Sequence, residues 1–305
     1  MKKIDSSDRK ILSTEQQNSK SHQIDKLSIS EILQVINDED QTIAQKIKKV
    51  IPQIEKVVNF AEEIIRSGGK IFYVGAGTSG RIGVLDATEI PPTFSVPREL
   101  FQGIIAGGKD ALVRSIEGAE DKQENAIIDL KNAGFKKNDL LLGISSSGTT
   151  PYVISALEYA KNIGSKTAYL ICNQELLIPV KVDALISIDI GAEIITGSTR
   201  MKSGTATKMV LNMISTTVMI RLGKVYGNLM VDLQLVNNKL LDRGSRIIEQ
   251  LTGLDYESSK EKLSEAGGSV KIAVVMALRN CKRPDAEKKI EENDGSLRKI
   301  IGDLD

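Results

Sequence analysis

The sequence predicts an α/β protein built on a parallel sheet, and three observations support this prediction. Five short apolar runs alternate with longer segments in which apolar residues recur at helical spacing. Glycine turns rich in hydroxyl groups follow the first and third runs, and each leads into a helical segment. Residues 251–305 contain short helical patterns separated by glycine and proline. We therefore expect one large α/β domain with a small C-terminal helical appendage.

The N-terminal segment, residues 1–45, is expected to be a polar arm that contains one helix. It is rich in Ser, Gln, Asn and Asp, and a short apolar-periodic stretch covers residues 29–36. A longer helix is predicted from Pro52 onward, because apolar residues recur at helical spacing until Gly68 and Gly69 end the pattern. The first strand should follow directly.

The predicted strands are short and strongly apolar, as expected for strands that are covered on both faces. Helical stretches at residues 121–132 and 151–163 separate some of them. Such alternation is typical of a parallel sheet with helices on both sides. The predicted strands are residues 70–74, about 100–106, 139–144, 167–172 and 184–190.

Long helices are predicted over residues 201–222 and 231–250, and they complete a central domain that spans residues 46–250. The first of them is mostly apolar, which indicates a helix buried in the core or in a dimer interface. The expected C-terminal helical domain, residues 251–305, has predicted helices at residues 256–266, 269–279 and 285–292.

The charge balance argues against nucleic-acid and membrane partners. The 305 residues include 41 Lys and Arg against 40 Asp and Glu, so the net charge of +1 gives no overall field toward a polyanion. No apolar stretch approaches the length of a membrane span, and the N-terminus has no apolar signal region. We expect a soluble cytoplasmic protein in which Cys172 and Cys281 are reduced and structural.

The two hydroxyl-rich turns, residues 75–80 and 145–150, have the composition of phosphate-binding turns. Glycine lets the backbone approach an anion, and a helix N-terminus directs free N–H groups toward it. In a flavodoxin-like strand order the ends of strands one and three are neighbours, so both turns would meet at one site. Neither turn carries Lys, which favours a small phosphorylated molecule over a nucleoside triphosphate. The expected binding residues are Gly77, Thr78, Ser79, Ser145, Ser146, Ser147, Thr149 and Thr150.

Two other interpretations of these turns remain open. Either turn alone could be an ordinary tight turn with a Ser or Thr N-cap. Gly75, Gly77 and Gly80 also fit the Gly-x-Gly-x-x-Gly pattern of dinucleotide-binding proteins. That pattern requires an acidic residue at the end of the second strand, where this chain has Ile-Ala-Gly-Gly at residues 105–108.

A third candidate anion site lies at residues 197–205, where the long apolar helix begins. Basic side chains in a first helical turn oppose the helix dipole at about 0.3–1 kcal/mol each when exposed, and a bound anion would offset this. We therefore expect Ser198, Arg200 and Lys202 to contribute to anion binding. The alternative is that Arg200 and Lys202 are ordinary solvated side chains at a capped helix start.

Carboxylates are the expected acid–base groups, because the one histidine, His22, lies in the polar arm. Glu89 lies shortly after the first turn, where Pro91 and Pro92 end the helical pattern. Glu120 lies in an acidic turn, broken by glycine, after the second strand. The alternative for Glu120 is a charge that stabilises the start of the following helix.

Seven stretches of the chain carry a family resemblance: residues 36–40, 74–81, 88–93, 117–121, 147–153, 197–205 and 227–232. Together they closely resemble the corresponding stretches of the N-acetylmuramic acid 6-phosphate etherases. The resemblance covers nearly the whole chain in order. It implies a sugar isomerase domain, which is a three-layer α/β/α fold around a five-stranded parallel sheet, in a homodimer.

The resemblance also implies an activity: cleavage of the D-lactyl ether of N-acetylmuramic acid 6-phosphate in peptidoglycan recycling and amino-sugar catabolism, without metal or cofactor. The family's two acid–base glutamates fall on Glu89 and Glu120. Opening the sugar ring leaves an aldehyde that acidifies the C2 proton, so a base can remove it, lactate can leave C3, and water can add back. We expect Glu120 to be the base and Glu89 the acid. Their environments should differ, so that one carboxyl group is kept protonated near neutral pH.

Three alternative functions come from other classes. A sugar-phosphate-sensing regulator of the glucokinase regulatory protein type would bind without turnover, but such proteins carry two sugar domains and this chain has one. An aldose–ketose isomerase of the same fold would use one carboxylate base and would not need Glu89 as a leaving-group acid. A dinucleotide-dependent enzyme would reveal itself by binding a nicotinamide cofactor.

Overall fold

The computed structural model describes residues 10, 12–235 and 237–303 of the chain. It divides into two compact units. The first comprises Met1–Thr88 and Glu99–Ser215, and the second comprises Glu89–Arg98 and Thr216–Asp305. These units are bounded differently from the segments 1–45, 46–250 and 251–305, and that segmentation of the sequence remains a prediction.

The first unit is built on a sheet of five parallel strands. The strands are β1 (Ile71–Gly75), β2 (Phe101–Ile105), β3 (Leu140–Ser145), β4 (Lys166–Ile171) and β5 (Ala184–Ser187). They are arranged in the order β2-β1-β3-β4-β5, so the predicted α/β class and flavodoxin-like order are confirmed. Because Gly75 pairs with Ile105 on one side and Ile144 on the other, β1, β2 and β3 end side by side.

Helices account for most of the remaining structure. Those that begin in the first unit are α1 (Ile29–Asp40), α2 (Thr42–Lys48), α3 (Ile51–Arg66), α4 (Gly77–Phe94), α5 (Gln123–Asn132), α6 (Pro151–Asn162) and α7 (Lys202–Arg221). Those of the second unit are α8 (Asn238–Thr252), α9 (Tyr256–Glu265), α10 (Val270–Arg279), α11 (Arg283–Glu292) and α12 (Leu297–Ile301). The helix predicted over residues 201–222 is thus confirmed as α7.

Both faces of the sheet are covered by helices, which gives three layers. On one face, Phe72 and Val74 of β1 belong to a buried cluster that includes residues of α5 and α6. On the other face, Tyr73 packs against α4, where a Cβ added at Gly83 would lie 3.1 Å from the Tyr73 Cβ. Alternate residues of a strand point to opposite faces, and each fully buried large apolar side chain contributes about 1.5–3 kcal/mol to folding.

Local sequence explains where the elements next to the sheet begin and end. Pro52 lies in the first turn of α3, where its missing N–H breaks no helical bond. Gly68 follows that helix with a φ of 78°, which favours glycine. Gly69 has no room for a side chain, because a Cβ there would lie 2.0 Å from the carbonyl oxygen of Asn138. Pro151 likewise begins α6 and ends the second hydroxyl-rich turn.

The second unit has its own core of helical residues. Ile248 of α8, Leu263 of α9 and Val274 of α10 are buried in one apolar cluster. The helix predicted over residues 231–250 begins only at Asn238, so the early part of that prediction is wrong. The reason is a cap: the Asn237 side chain accepts a hydrogen bond of 3.0 Å from the Leu240 N–H, which fixes the helix start.

Two sequence expectations concern the membrane and the cysteines. Across the part of the chain that the structure describes, no helix has the length and apolar character of a membrane span.

Cys172 and Cys281 are both unpaired thiols, as expected. Burial raises the pKa of the Cys172 thiol to about 12, so it stays protonated at neutral pH and is a poor nucleophile.

Candidate functional site

A cavity of about 340 Å³ lies at the carboxyl edge of the sheet in the first unit. Open parallel sheets bind ligands at this edge, where the strand order reverses. Both hydroxyl-rich turns contribute to its wall, as the sequence predicts. The predicted site residues that line it are Gly77, Thr78, Ser79, Glu120, Ser145, Ser146, Ser147, Thr149 and Thr150.

The first turn connects β1 to α4 with almost no loop. Gly75 and Gly80 approach so closely that a Cβ on Gly75 would lie 2.6 Å from the Gly80 backbone nitrogen. Gly77 has a φ of 51°, a conformation that glycine adopts without strain. Helix α4 begins at this residue, so its first free N–H groups lie at the wall of the cavity.

The second turn is organised by hydrogen bonds among its own hydroxyl groups. The Ser145 and Thr150 hydroxyls are 2.8 Å apart, and those of Ser147 and Thr149 are 2.9 Å apart. The Gly148 N–H donates to the Ser145 Oγ at 3.1 Å, and Gly148 itself has a φ of 74°. Because the hydroxyl groups are already oriented by one another, little ordering is needed before they bind a ligand.

Glu120 reaches the same cavity from the segment that follows β2. It lies in a short 3-10 helix, Ala119–Asp121, preceded by Gly118 with a left-handed φ of 69°. The Glu120 side chain is exposed and lines the main cavity together with Asp121. The alternative for Glu120, a helix-start charge, is also compatible with its place before α5.

Glu120 also lines a second, smaller space of about 190 Å³, which we call the side cavity. Its wall includes four alanines, Ala76, Ala106, Ala111 and Ala119, of which Ala76 also lines the main cavity together with Gly77. The two spaces are therefore adjacent, and Glu120 lines both of them.

Arg81 of α4 also lines the side cavity and ties the segment before Glu120 to the first turn. Its Nε donates to the carbonyl oxygen of Leu112 at 3.2 Å, and its Nη2 donates to that of Arg114 at 2.7 Å. A guanidinium group that donates to two acceptors has little rotational freedom. Arg81 therefore holds residues 112–114 close to the start of α4.

The N-terminal arm supplies a wall of the main cavity that sequence analysis missed. Leu12 and Glu15 both line it, although only a polar arm was expected here. The Oδ1 atom of Asn173 accepts hydrogen bonds from the Ser13 hydroxyl at 2.9 Å and the Thr14 N–H at 3.4 Å. The side chains of Asn18 and Ser21 donate to carbonyl oxygens of residues 192 and 194. No local pattern in residues 12–21 signals these contacts, because their partners lie far along the chain.

Lys202, the basic residue that begins α7, has a partner within the chain. Lys202 is 2% exposed, and its ammonium group donates to the Glu39 Oε2 at 2.5 Å. Lys20 pairs with the other oxygen of Glu39 at 2.9 Å. Burial alone would raise the pKa of Glu39, but the hydrogen bonds from Lys202, Lys20 and Asn18 lower it from 4.5 to about 2.

A second buried carboxylate caps the same helix. Glu193 is fully buried, and its Oε2 and Oε1 accept from the N–H groups of Lys202 and Ser203 at 3.0 and 2.9 Å. Glu39 and Glu193 thus provide the negative charge that the sequence analysis expected from a bound anion. Gly197 and Thr199 of this motif line the cavity, whereas the anion-binding role of Ser198, Arg200 and Lys202 stays a prediction.

Glu89 is an exposed residue of the second unit, near the end of α4. Its carbonyl oxygen accepts a hydrogen bond of 2.7 Å from the Thr93 hydroxyl, and Pro91 and Pro92 lie between these two residues inside the helix. The pairing of Glu89 with Glu120 in catalysis remains a prediction. Within the described residues, no cluster of three or more His, Cys, Asp and Glu is arranged to hold a metal ion.

Comparison with known proteins identifies relatives over the whole chain. Residues 42–161 match the family model described as the glucokinase regulatory protein N-terminal SIS domain. A phosphoheptose isomerase structure from Francisella tularensis aligns with a TM-score of 0.48 and 16% identity, over 64% of this chain and 99% of that chain. An N-acetylmuramic acid 6-phosphate etherase of Geobacillus sp. is 48% identical over 290 residues, which cover 95% of this chain and 98% of the relative. One from Clostridium beijerinckii is 46% identical over 302 residues, or 99% of each chain. At this identity and coverage, the chain belongs to the N-acetylmuramic acid 6-phosphate etherase family.

Proposed function

We propose that this protein cleaves the D-lactyl ether of N-acetylmuramic acid 6-phosphate to N-acetylglucosamine 6-phosphate and D-lactate. The observation that carries the proposal is that two hydroxyl-rich turns and the Glu120 carboxylate line one cavity. This combines groups suited to binding a phosphate with a group able to move a proton. Relatives that cover nearly the whole chain bear the name of this activity.

The 6-phosphate is proposed to bind between the turns at residues 76–79 and 145–150. Their hydroxyl groups donate hydrogen bonds, and the N-terminal ends of α4 and α6 add free N–H groups and a partial positive charge. The main cavity, about 340 Å³, is of the size that small ligands occupy, since such sites span roughly 300–1,000 Å³.

The proposed reaction is an elimination followed by an addition. With the sugar ring open, Glu120 removes the proton on C2, which the C1 aldehyde acidifies. Glu89 then protonates the ether oxygen as the C3–O bond breaks and D-lactate leaves. Water adds to C3 of the unsaturated aldehyde and gives its proton to Glu89, which regenerates the acid. Glu120 returns a proton to C2 and the ring closes, so neither metal nor cofactor is needed.

The side cavity is proposed to hold a substituent of the carbons that react. Glu120 lines both cavities, so C2 and C3 would lie close to both as well. The alanine-lined wall suits the methyl group of a small acyl or lactyl substituent. We further propose that the protein acts in the cytoplasm as a homodimer, in peptidoglycan recycling and amino-sugar catabolism.

The proposed mechanism is tested by isotope labelling. In water enriched in ¹⁸O, the label should enter C3 of N-acetylglucosamine 6-phosphate, and D-lactate should retain the ether oxygen. In deuterated water, deuterium should appear at C2 of the same product. Label in the lactate hydroxyl would contradict elimination, because it would mean displacement at the lactyl carbon.

The roles of the two glutamates are tested by matched substitutions. Glu89→Gln should abolish lactate release yet keep exchange of the C2 proton with deuterated water, whereas Glu120→Gln should lose both. Near-normal activity in both variants would exclude the mechanism. Binding of the substrate without lactate release by the unmodified protein would instead favour a sugar-phosphate sensor, which the match at residues 42–161 makes the second candidate.

A further inference from the structure

The proposed elimination needs an open-chain sugar, because only the free aldehyde acidifies the C2 proton. Hexose derivatives of this kind exist mainly as closed rings, so ring opening must precede every turnover. The step moves a proton from the O1 hydroxyl to the ring oxygen O5. The proposed mechanism gives this task to neither Glu120 nor Glu89, so the step has no assigned group.

Glu15 is a carboxylate at the main cavity without an assigned role. It lines the cavity, and within the described residues no hydrogen bond or ion pair engages its side-chain oxygens. Its Oε2 lies beside Gly197, where an added Cβ would stand 3.5 Å from it. The carboxylate is therefore available to a ligand in the cavity.

The backbone at Glu15 is held in place on both sides. Thr14 is fully buried, and its carbonyl oxygen accepts from the Gly197 N–H at 3.1 Å. Leu12 is 5% exposed, and Asn173 binds Ser13 and the Thr14 N–H. A side chain on such an anchored segment can keep a fixed position relative to a bound sugar, which general acid–base catalysis requires.

The topology separates Glu15 from Glu120. In the strand order β2-β1-β3-β4-β5, Glu120 follows the edge strand β2. Asn173, which anchors the arm, follows β4, and β1 and β3 lie between these two strands. The phosphate-binding turns follow β1 and β3, between them. A sugar held by these turns would therefore present opposite sides to the two carboxylates, and in a pyranose C2 and O5 lie on opposite sides of C1.

We infer that Glu15 opens and closes the sugar ring, and this inference rests on the proposed function. Glu15 accepts the proton of the O1 hydroxyl, the C1–O5 bond breaks as the C1=O bond forms, and the same proton passes from Glu15 to O5. Charge and atoms balance, and the carboxylate is regenerated. Ring closure of the product is the reverse of this step.

The product provides a test that does not depend on ether cleavage. An enzyme that opens the ring accelerates interconversion of the α and β anomers of N-acetylglucosamine 6-phosphate, which NMR exchange spectroscopy measures. The wild-type protein should accelerate this interconversion. In Glu15→Gln the acceleration should be at least about 100-fold smaller, because a positioned general acid–base group contributes about 100- to 10,000-fold to a rate. Glu120→Gln should keep it while losing lactate release.

Asp25→Asn is the matched control, because Asp25 is an exposed carboxylate of the same arm that does not line the cavity. It should keep both activities. Calorimetric titration with the product comes first: failure of the wild type to bind would contradict the proposed function. Binding without anomer exchange, exchange retained in Glu15→Gln, or loss of product binding in Glu15→Gln would overturn the inference for Glu15 alone.

Discussion

The buried pair of Glu39 and Lys202 predicts a large and pH-dependent loss of stability in Glu39→Gln. The Lys202 side chain is 2% exposed and that of Glu39 is 10% exposed, so the substitution leaves a buried ammonium group without its counter-charge. Lowering the pKa of Glu39 from 4.5 to about 2 is linked to about 3 kcal/mol of folding free energy, at about 1.4 kcal/mol per pH unit. Breaking buried pairs elsewhere costs about 3–5 kcal/mol, which agrees with this value.

The pH dependence follows from the direction of the pKa change. Because the folded state holds the carboxylate at a lower pKa than the unfolded state, its contribution is complete above about pH 5 and disappears as the pH falls toward 2. The difference between wild type and Glu39→Gln should therefore be largest at neutral pH and shrink progressively below about pH 5.

Thermal unfolding followed by circular dichroism measures the effect. For a unit of about 200 residues, 3 kcal/mol corresponds to a fall in Tm of about 6–12 °C at pH 7. Glu63→Gln is the matched control, since Glu63 is an exposed residue of α3 in the same unit, and its Tm should change by less than about 2 °C. Replacing both partners, as in Glu39→Gln with Lys202→Met, should restore much of the loss because no uncompensated charge remains buried. A Glu39→Gln protein as stable as the control at pH 7 would refute the reasoning.

Three further predictions concern the cavity walls. Ser147→Ala should raise the KM for the phosphorylated substrate by about 10- to 100-fold in steady-state kinetics, because a hydrogen bond to a charged group contributes about 1.5–3 kcal/mol. An unchanged KM would show that the second turn does not bind the phosphate. Gly80→Ala should abolish sugar-phosphate binding in a calorimetric titration, because its Cβ would lie 2.6 Å from the Ile105 Cγ1 and 2.7 Å from the Gly75 carbonyl oxygen; wild-type affinity would show that the turn can relax. Ala111→Val should raise KM while leaving Tm within a few degrees, and equal kinetics with the wild type would exclude the side cavity as a substituent site.

The fold and the meeting of the two hydroxyl-rich turns at one cavity could be predicted because their signals are local. Strands covered on both faces read as short apolar runs, and a turn that joins β1 directly to α4 requires glycines at Gly75, Gly77 and Gly80. Prediction was wrong at residues 231–235, where apolar spacing resembles a helix but the Asn237 cap sets the later start of α8.

The remaining parts of the site depend on contacts between distant residues. Glu39 and Lys202 are 163 positions apart, and Ser13 and Asn173 are 160 apart. Such pairs leave no periodicity in the sequence, and neither partner is unusual in its local setting. The polar composition of residues 1–45 predicts an arm, but it contains no information about the surface against which residues 12–21 pack. Glu15 could therefore be found only from the structure.

The anchored arm determines how the chain can be divided and recombined. A fragment that starts at residue 42, where the match to the regulatory-protein domain begins, would retain all five strands yet lack the wall formed by Leu12 and Glu15. It would also lack Glu39, so the ammonium group of Lys202 would be left without its carboxylate. We therefore expect that a chimera between relatives must take the sheet and the arm from the same parent if the cavity wall and the Glu39–Lys202 pair are to be kept.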